Sequence, residues 1–399
     1  MSLDASLAGM RRLPALALTA ALSMSLFACT GDDPPASAPA PSQSADPQPA
    51  APAHYSQGKL HEDFAVTEHA TFDEGWALSF LPGTDLLAVT ERGGALHLYH
   101  QGDGEVRAVD GVPEVYHESQ AGLHDVIPAP SFTDDGAVYL SWARETDTVH
   151  GVVARAVLDV DDAELRDLEI IWEQDPAPGA GHFALRLLVH GEHLFITSGD
   201  RQQEDPAQER DTNLGTVVRL TLDGEPARGN PWFGDGGAAA EMWSIGHRNP
   251  LGIAADEDGA LWVSEMGPQG GDELNLLTEG GNYGWPDASM GVHYDGSPIP
   301  DHSEEDGFVA PAEYWVPAIS PGSLMIYSGG LFDEWRGDAF LGGLSGQRLV
   351  RVELDGRQAE AVQEWDAGAR VRAVVQAQDG ALWVLEDGSG GRLLELRPR

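Results

Sequence analysis

Apolar residues recur two apart along most of the chain, in short runs closed by glycine, proline or aspartate. Period-two alternation puts one set of side chains on one face, so each run predicts a half-buried β-strand. A turn followed by a short apolar strand appears six times. The copies are D-L-L-A-V from Asp85, G-A-V-Y-L from Gly136, E-H-L-F-I from Glu192, G-A-L-W-V from Gly259, D-A-F-L-G from Asp338 and G-A-L-W-V from Gly380. Most are followed by a second strand of cleaner alternation, as in A-L-H-L-Y from Ala95, V-V-R-L-T-L from Val217, R-L-V-R-V-E-L from Arg348 and R-L-L-E-L from Arg392. No long run of period 3.6 competes. Six strand-rich units over roughly 340 residues predict an all-β chain folded as a six-bladed β-propeller. Roughly 57 residues fall to each unit, more than the ~40–45 of a compact four-stranded blade. The surplus belongs in loops, the longest around residues 200–240 and 285–320, and long loops carry function. We expect one domain, because the first unit has nothing to close against unless the last meets it.

The pattern fails at the N-terminus. Arg11 and Arg12 flank an apolar run from Leu13 to Ala28, too short for a comfortable membrane span. It ends L-F-A-C at Cys29, which resembles the processing site of bacterial lipoproteins. We therefore expect a signal over residues 1–28 and lipidation of Cys29, with plain secretion and twin-arginine export as alternatives. Residues 29–57 are rich in Pro, Ala, Ser and Gln and predict an extended tether, leaving 58–399 for the propeller. The expected location is the periplasm or the outer membrane of a Gram-negative bacterium. Cys29 is the only cysteine, so no intrachain disulfide is possible. The chain has 399 residues, 65 acidic against 23 basic, and a formal charge of −42; Lys59 is its only lysine. Such a field repels phosphate, so nucleic acid is excluded as a partner and a membrane is expected only through the lipid.

Candidate chemistry is densest from Met242 to Pro286. M-W-S-I-G-H-R-N-P closes at Pro250, and E-M-G-P-Q-G-G-D-E-L-N-L-L-T-E-G-G-N-Y-G-W-P runs from Glu265. Gly267 and Pro268 follow a strand-like run, Ala260 to Val263. Glycine frees the turn and proline lacks an N–H, so carbonyl oxygens can be left pointing outward. Such carbonyls, with Asp272 and Glu273 nearby, are the hard oxygen ligands that calcium takes. His247 and Arg248 add a titratable ring and a permanent cation. Each residue alone also fits a glycine-rich loop with solvated charges.

G-H-R-N-P, then G-P-x-G-G-D-E-L-N-L, then G-x-N-Y-G-W-P resembles the soluble aldose (glucose-type) dehydrogenases that use pyrroloquinoline quinone, and the resemblance extends over most of residues 75 to 397. It implies that His182, in G-H-F-A-L-R-L, is the catalytic base and that Asp200, in S-G-D-R, helps orient the sugar. It implies cofactor contacts from Gln120, Arg248, Asn249, Ser320, Pro321, Arg370 and Arg372, with Arg248 facing the reacting carbonyl. Alternate residues on a strand share a face, so Arg370 and Arg372 can reach one anionic ligand together. The resemblance gives Gly267 and Pro268 to the cofactor's calcium, and Glu273 and Tyr283 to a second, structural calcium. There are departures. No lysine stands in the stretch Ser345 to Gln347, Met266 and Leu185 replace other residue types, and the loop after Asp200 does not match.

The implied reaction takes a proton from the C1 hydroxyl of an aldose at His182, delivers hydride to the quinone, and releases a lactone. The electrons would pass to a quinone or a cytochrome, and the protein would be a monomer or dimer. Two other readings compete: a calcium-dependent hydrolase of the sugar-lactonase kind, and a non-enzymatic propeller that binds peptides or glycans.

Overall fold

A computed structural model describes residues 55–399. The expected signal, Cys29 and the tether up to residue 54 lie outside the described residues. Among the described residues no helix is long and apolar enough to cross a membrane.

Six sheets, each with four antiparallel strands and one with a further parallel strand, form six blades. From the innermost strand outwards, blade 1 is Gly75–Phe80, Leu86–Glu91, Ala95–His100 and Val106–Ala108. Blade 2 is Leu123–Pro128, Ala137–Glu145, Val149–Asp159 and Glu164–Glu173. Blade 3 is Ala184–His190, His193–Ser198, Thr216–Thr221 and Met242–Ile245. Blade 4 is Pro250–Ala255, Leu261–Glu265, Asp272–Leu276 and Glu313–Trp315. Blade 5 begins with Pro321–Ile326, Ala339–Gly343, Arg348–Asp355 and Gln358–Asp366. Blade 6 is Val371–Gln376, Leu382–Glu386, Gly391–Pro398 and Phe64–Phe72. The six apolar runs found in the sequence are the second strands of the six blades. The alternating runs that follow four of them are third strands.

The two ends of the described residues meet in the sheets. Phe64–Phe72 pairs antiparallel with Gly391–Pro398, so the first part of the domain completes the last blade. Ser56–Lys59 adds a parallel fifth strand to blade 5, against Gln358–Asp366. Leu60 and Phe64 then bury against Trp365, Phe332 and Phe340. Elsewhere the core lies between neighbouring sheets. Leu98, Leu140 and Val152 pack blade 1 on blade 2, and Trp262, Leu341 and Val350 pack blade 4 on blade 5.

The innermost strands touch one another in a closed ring about the axis. Each has a break in register at its first residues: Gly75/Ala77, Leu123/Val126, Ala184/Leu187, Pro250/Gly252, Pro321/Ser323 and Val371/Ala373. A bulge leaves a residue unpaired and re-aims its side chain. All six bulges stand at the same end of the ring, where the expected site residues fall.

Candidate active site

The bulged residues meet at the axis. Arg186, from the bulge of blade 3, is wholly buried. Its Nε donates to the Leu251 carbonyl (3.0 Å), and its Nη2 to those of Trp76 (3.2 Å) and Gly322 (2.7 Å). These three acceptors are the bulged residues of blades 1, 4 and 5. Asp125, from the bulge of blade 2, lies 3.8 Å from Arg186 Nη1 and accepts the Leu187 N–H at 3.0 Å.

Above this ring is a cavity of about 320 Å³, the size of a small-molecule site. Gln120, Ser320, Arg370 and Arg372 line it with Glu74, Trp76, Arg92, Leu251, Met266 and Asp387. Arg370 Nε donates to Asp387 Oδ2 at 2.6 Å, and Arg372 Nε and Nη2 donate to Oδ1 at 2.9 and 2.8 Å. The two arginines thus share one carboxylate at the wall of the cavity. Burial works to raise the Asp387 pKa, but the two guanidinium groups outweigh it and hold the carboxyl below its usual range. Burial pulls Arg372 down to about 10, which leaves it charged at neutral pH. Its guanidinium lies 4.1 Å from the centre of the Trp76 ring, which stacks on His124 at 4.6 Å. Burial drops His124 to about 3, so that ring is neutral. Three residues lining the cavity, Glu74, Ser119 and Ser320, hold positive φ of 53–54° without being glycine. Backbone strain of this kind collects at ligand sites. A larger hollow of about 690 Å³ lies at blade 3 between His193, Thr221 and Phe233, and none of the expected site residues lines it.

Gln120 connects the cavity to His182. Its Oε1 accepts the His182 N–H at 2.8 Å, and its own N–H donates to the Ala180 carbonyl at 3.0 Å. His182 is itself at φ 48°. Its Nδ1 lies 2.6 Å from Asp200 Oδ1, and Trp285 Nε1 donates to Asp200 Oδ2 at 2.8 Å. With Nδ1–H donating to the carboxylate, Nε2 keeps its lone pair and faces away from Asp200. Asp200 is buried behind the ring, both oxygens engaged. Burial holds the imidazole below its ordinary value; the hydrogen bond to Asp200 opposes this and the Arg248 charge adds to it. The loop before His182 is pinned by Arg201, which donates to the carbonyls of Val149, Ala177, Gly179 and Gly181 and covers the Phe183 ring at 3.7 Å. Sequence reasoning passed over Arg201, although it stands in the S-G-D-R motif.

Arg248 is buried beside this pair. Its Nη1 donates to the carbonyls of Met266 (3.0 Å) and Gly267 (2.6 Å), and its Nη2 to the Tyr294 hydroxyl at 3.3 Å. Its Nε has no partner, and neither does Asn249 Oδ1. Tyr294 and Trp285 both lie under the guanidinium, at 5.7 and 5.1 Å. Tyr294 was not anticipated from the sequence; it is an exposed aromatic in a long loop with no repeating pattern around it. Gly267 carries its carbonyl on the expected turn, but Arg248 now occupies it. Asp272 accepts the N–H of Gly267 (2.9 Å) and of Ser320 (2.6 Å), tying the Gly267-Pro268 turn to the Ser320-Pro321 loop of blade 5. Ser320 Oγ meets Ser345 Oγ at 2.8 Å, in the stretch where a lysine is missing.

Behind Arg248 two carboxylates are buried together. Asn275 Nδ2 donates to Glu265 Oε1 at 3.0 Å and to Glu273 Oε2 at 3.1 Å, while Asn275 Oδ1 is unpartnered. Burial and the Glu265 charge push Glu273 well above its ordinary value. His302 lies 3.9 Å from Glu273 with neither ring nitrogen hydrogen-bonded. Tyr283 lines the same hollow, but its phenol is spent on the Leu276 carbonyl (2.7 Å) and the Thr278 N–H (2.9 Å). His247 is fixed between Ser244 and Glu265 at 2.8 Å each and stacks on the Tyr283 ring, a structural role. Among the described residues no three His, Cys, Asp or Glu side chains converge on one point.

The family profile described as glucose/sorbosone dehydrogenase matches residues 72–395. The chain is 37% identical over 338 residues to the aldose sugar dehydrogenase YliI of Escherichia coli, covering 82% of this chain and 91% of the relative. The apo crystal structure of the soluble aldose sugar dehydrogenase of Escherichia coli superposes with a TM-score of 0.81 at 34% identity, over 84% of this chain and all of the other. The aldose sugar dehydrogenase of Streptomyces coelicolor, solved in its PQQ-bound form, superposes with a TM-score of 0.71 at 26% identity, over 84% and 98% of the two chains.

Proposed function

The chain belongs to the glucose/sorbosone dehydrogenase family of oxidoreductases, and we propose that it oxidises the C1 hydroxyl of an aldose to the lactone with pyrroloquinoline quinone held in the axial cavity. The observation that carries this reading is the convergence of Gln120, Ser320, Arg370 and Arg372 on one cavity, with Gln120 holding the backbone of His182. The cavity suits a compact polyanion: three arginines line it against two carboxylates, and Arg248 Nε and Asn249 Oδ1 stand unpartnered nearby. The quinone supplies a two-electron acceptor that takes hydride.

The chain's own residues do the rest. His182 Nε2 accepts the proton of the C1 hydroxyl, because Asp200 fixes the proton on Nδ1 and burial keeps the ring neutral. Asp200 orients the sugar through His182: it holds the ring, and Trp285 in turn holds Asp200. Arg248 presents a fixed cation where negative charge develops, and Asn249 stands beside it. Arg370 and Arg372 bind carboxylates of the quinone.

Calcium enters at two places. The Gly267 and Pro268 carbonyls would hold the cofactor's ion, and Arg248 must release the Gly267 oxygen for this. Glu273 would hold the second ion with the Tyr283 backbone, since the phenol is engaged; Glu265 and Asn275 Oδ1 lie beside it. Carbonyl and carboxylate oxygens are the donor set calcium takes. The electrons go to a periplasmic quinone or cytochrome, and Cys29, if lipidated, keeps the enzyme near it. In the test, purified protein receives calcium and pyrroloquinoline quinone, and sugar-dependent bleaching of the oxidised cofactor with dye reduction is recorded. Hydrolysis of a sugar lactone without the quinone would favour a hydrolase instead. The absence of both activities would leave a binding propeller.

A further inference from the structure

The cavity has a second charged wall that the sequence did not single out. Arg92 stands just after the second strand of blade 1, and Glu74 just before the innermost strand; both line the cavity with Arg370, Arg372 and Asp387. The Arg92 guanidinium pairs with Glu74 Oε1, and Glu74 Oε2 lies 2.9 Å from His117 Nε2. The backbone fixes both residues. Arg92 N–H donates to the Glu74 carbonyl (3.0 Å), and the Arg92 carbonyl accepts the Leu123 N–H (3.0 Å). Gly122 leaves the space: a side chain there would strike the Arg92 backbone and stem. Glu74 is held in the left-handed region at φ 54°, and its N–H donates to the carbonyl of Gly388, next to Asp387. The two walls are therefore joined at the seam between blades 6 and 1.

We propose that Arg92 is the third arginine of the anion cradle, giving up its pairing with Glu74 to bind a carboxylate of the quinone. The proposal rests on the functional reading above. Charge accounting favours it. Arg92, Arg370 and Arg372 against Glu74 and Asp387 give the lining a net charge of +1 (three minus two). A tricarboxylate bound with one divalent cation carries a net charge of −1, which this lining neutralises. Without Arg92 the lining is neutral and Glu74 keeps only His117 as a partner. An Arg fork also matches a carboxylate in a way that a lysine point charge does not.

The test is a titration of the full chain with pyrroloquinoline quinone in excess calcium, followed by quenching of tryptophan fluorescence, with thermal melts run in parallel. Arg92→Ala should weaken quinone binding roughly 10- to 100-fold, as expected for loss of a charge-assisted pair. Arg92→Lys should recover part of it. Glu74→Gln should bind the quinone roughly threefold tighter, because the half-buried Glu74 carboxylate competes weakly with the quinone for Arg92. The opposite signs are diagnostic: a pair that serves only to hold the fold would lower the melting temperature in both variants and tighten binding in neither. Wild-type affinity in all three variants, or weaker binding in Glu74→Gln, overturns the cradle while the functional reading stands. A wild-type chain that takes up no quinone overturns the functional reading and the cradle together.

Discussion

Two buried charged groups, one in the ring beneath the cavity and one behind Arg248, are built differently. Arg186 is closed by the polypeptide: three carbonyls from three other blades accept its N–H groups, and Asp125 stands 3.8 Å away. Glu265 and Glu273 share one Asn275 amide; Glu265 also meets His247 and the Arg248 N–H, while Glu273 has the amide alone and is pushed well above its ordinary value by burial and by its neighbour. A buried charge is tolerable when its partners are complete and costly otherwise. The first arrangement is therefore structure, finished when the chain folds. The second would gain from an added cation, as the proposed calcium supplies. The axis of this propeller is held by the protein alone, whereas the wall of blade 4 is where the proposed second calcium would add a partner.

The sharpest way to break the first half of that contrast is Arg186→Met. It strips three carbonyls of their donor at the meeting point of the blades and leaves Asp125 without its cation. Loss of a buried charged partner costs about 3–5 kcal/mol, enough to unfold a marginal domain. Urea denaturation should show this loss, or no soluble folded protein. Asp125→Asn should cost clearly less, because the carbonyls are the closer partners. Equal losses in the two variants would move the weight from the carbonyls to the ion pair.

His182 belongs to neither class, since in the proposed reaction its ring changes charge during turnover while Asp200 holds it. His182→Ala removes the proton acceptor at the wall of a site whose other parts are untouched. Turnover should fall about 10²–10⁴-fold while quinone binding is kept. Single-turnover kinetics alongside the fluorescence titration separate the two. Near-normal turnover would take His182 out of the chemistry.

Blade 4 offers the complementary test. If its carboxylates are completed by calcium, the ion should raise the melting temperature of the wild type. Binding at 100 times the dissociation constant stabilises by about 2.7 kcal/mol. Glu273→Gln should abolish that rise. Without calcium the same variant should match or exceed the wild type, because one of two crowded carboxylates has gone. A wild type that melts at the same temperature with calcium and with chelator would make the pair a closed structural network like Arg186.

The contrast also explains what the sequence could and could not say. The second strands were legible because both their faces are buried, as in the five buried residues of Leu382–Glu386 and the run Leu86–Thr90. The third strands were legible by alternation, as in Thr216–Thr221. Outer strands such as Val106–Ala108 and Ser56–Lys59 are exposed, and no periodicity marks them. Closure was anticipated only as a need; that Phe64–Phe72 supplies it is decided by pairing at long range. His182, Arg248, Arg370 and Arg372 stand in local motifs and could be singled out. Arg186, Arg92 and Glu74 act through bulges and seams between blades, which no single stretch of sequence displays. Arg201 and Tyr294 were missed for a related reason, since their partners lie in other loops.

The smallest effect expected is a shift in the pH profile, and it places His182 between the two extremes. Burial lowers its pKa from 6.5, the Asp200 hydrogen bond raises it in part, and Arg248 lowers it. A lowered value means that the ring stays neutral, and able to accept a proton, as pH falls below 6.5. The acid limb of kcat/KM should therefore lie below 6.5, the ordinary value for a histidine. Asp200→Asn removes the one contact that raises the pKa, so the limb should move lower still, on top of a lower rate from the loosened ring. Arg248→Met removes a cation and should move the limb the other way. A limb at or above 6.5 in the wild type would mean that Asp200 outweighs burial. In that case His182 would be held as an ion pair, closed like Arg186, rather than kept ready to take a proton.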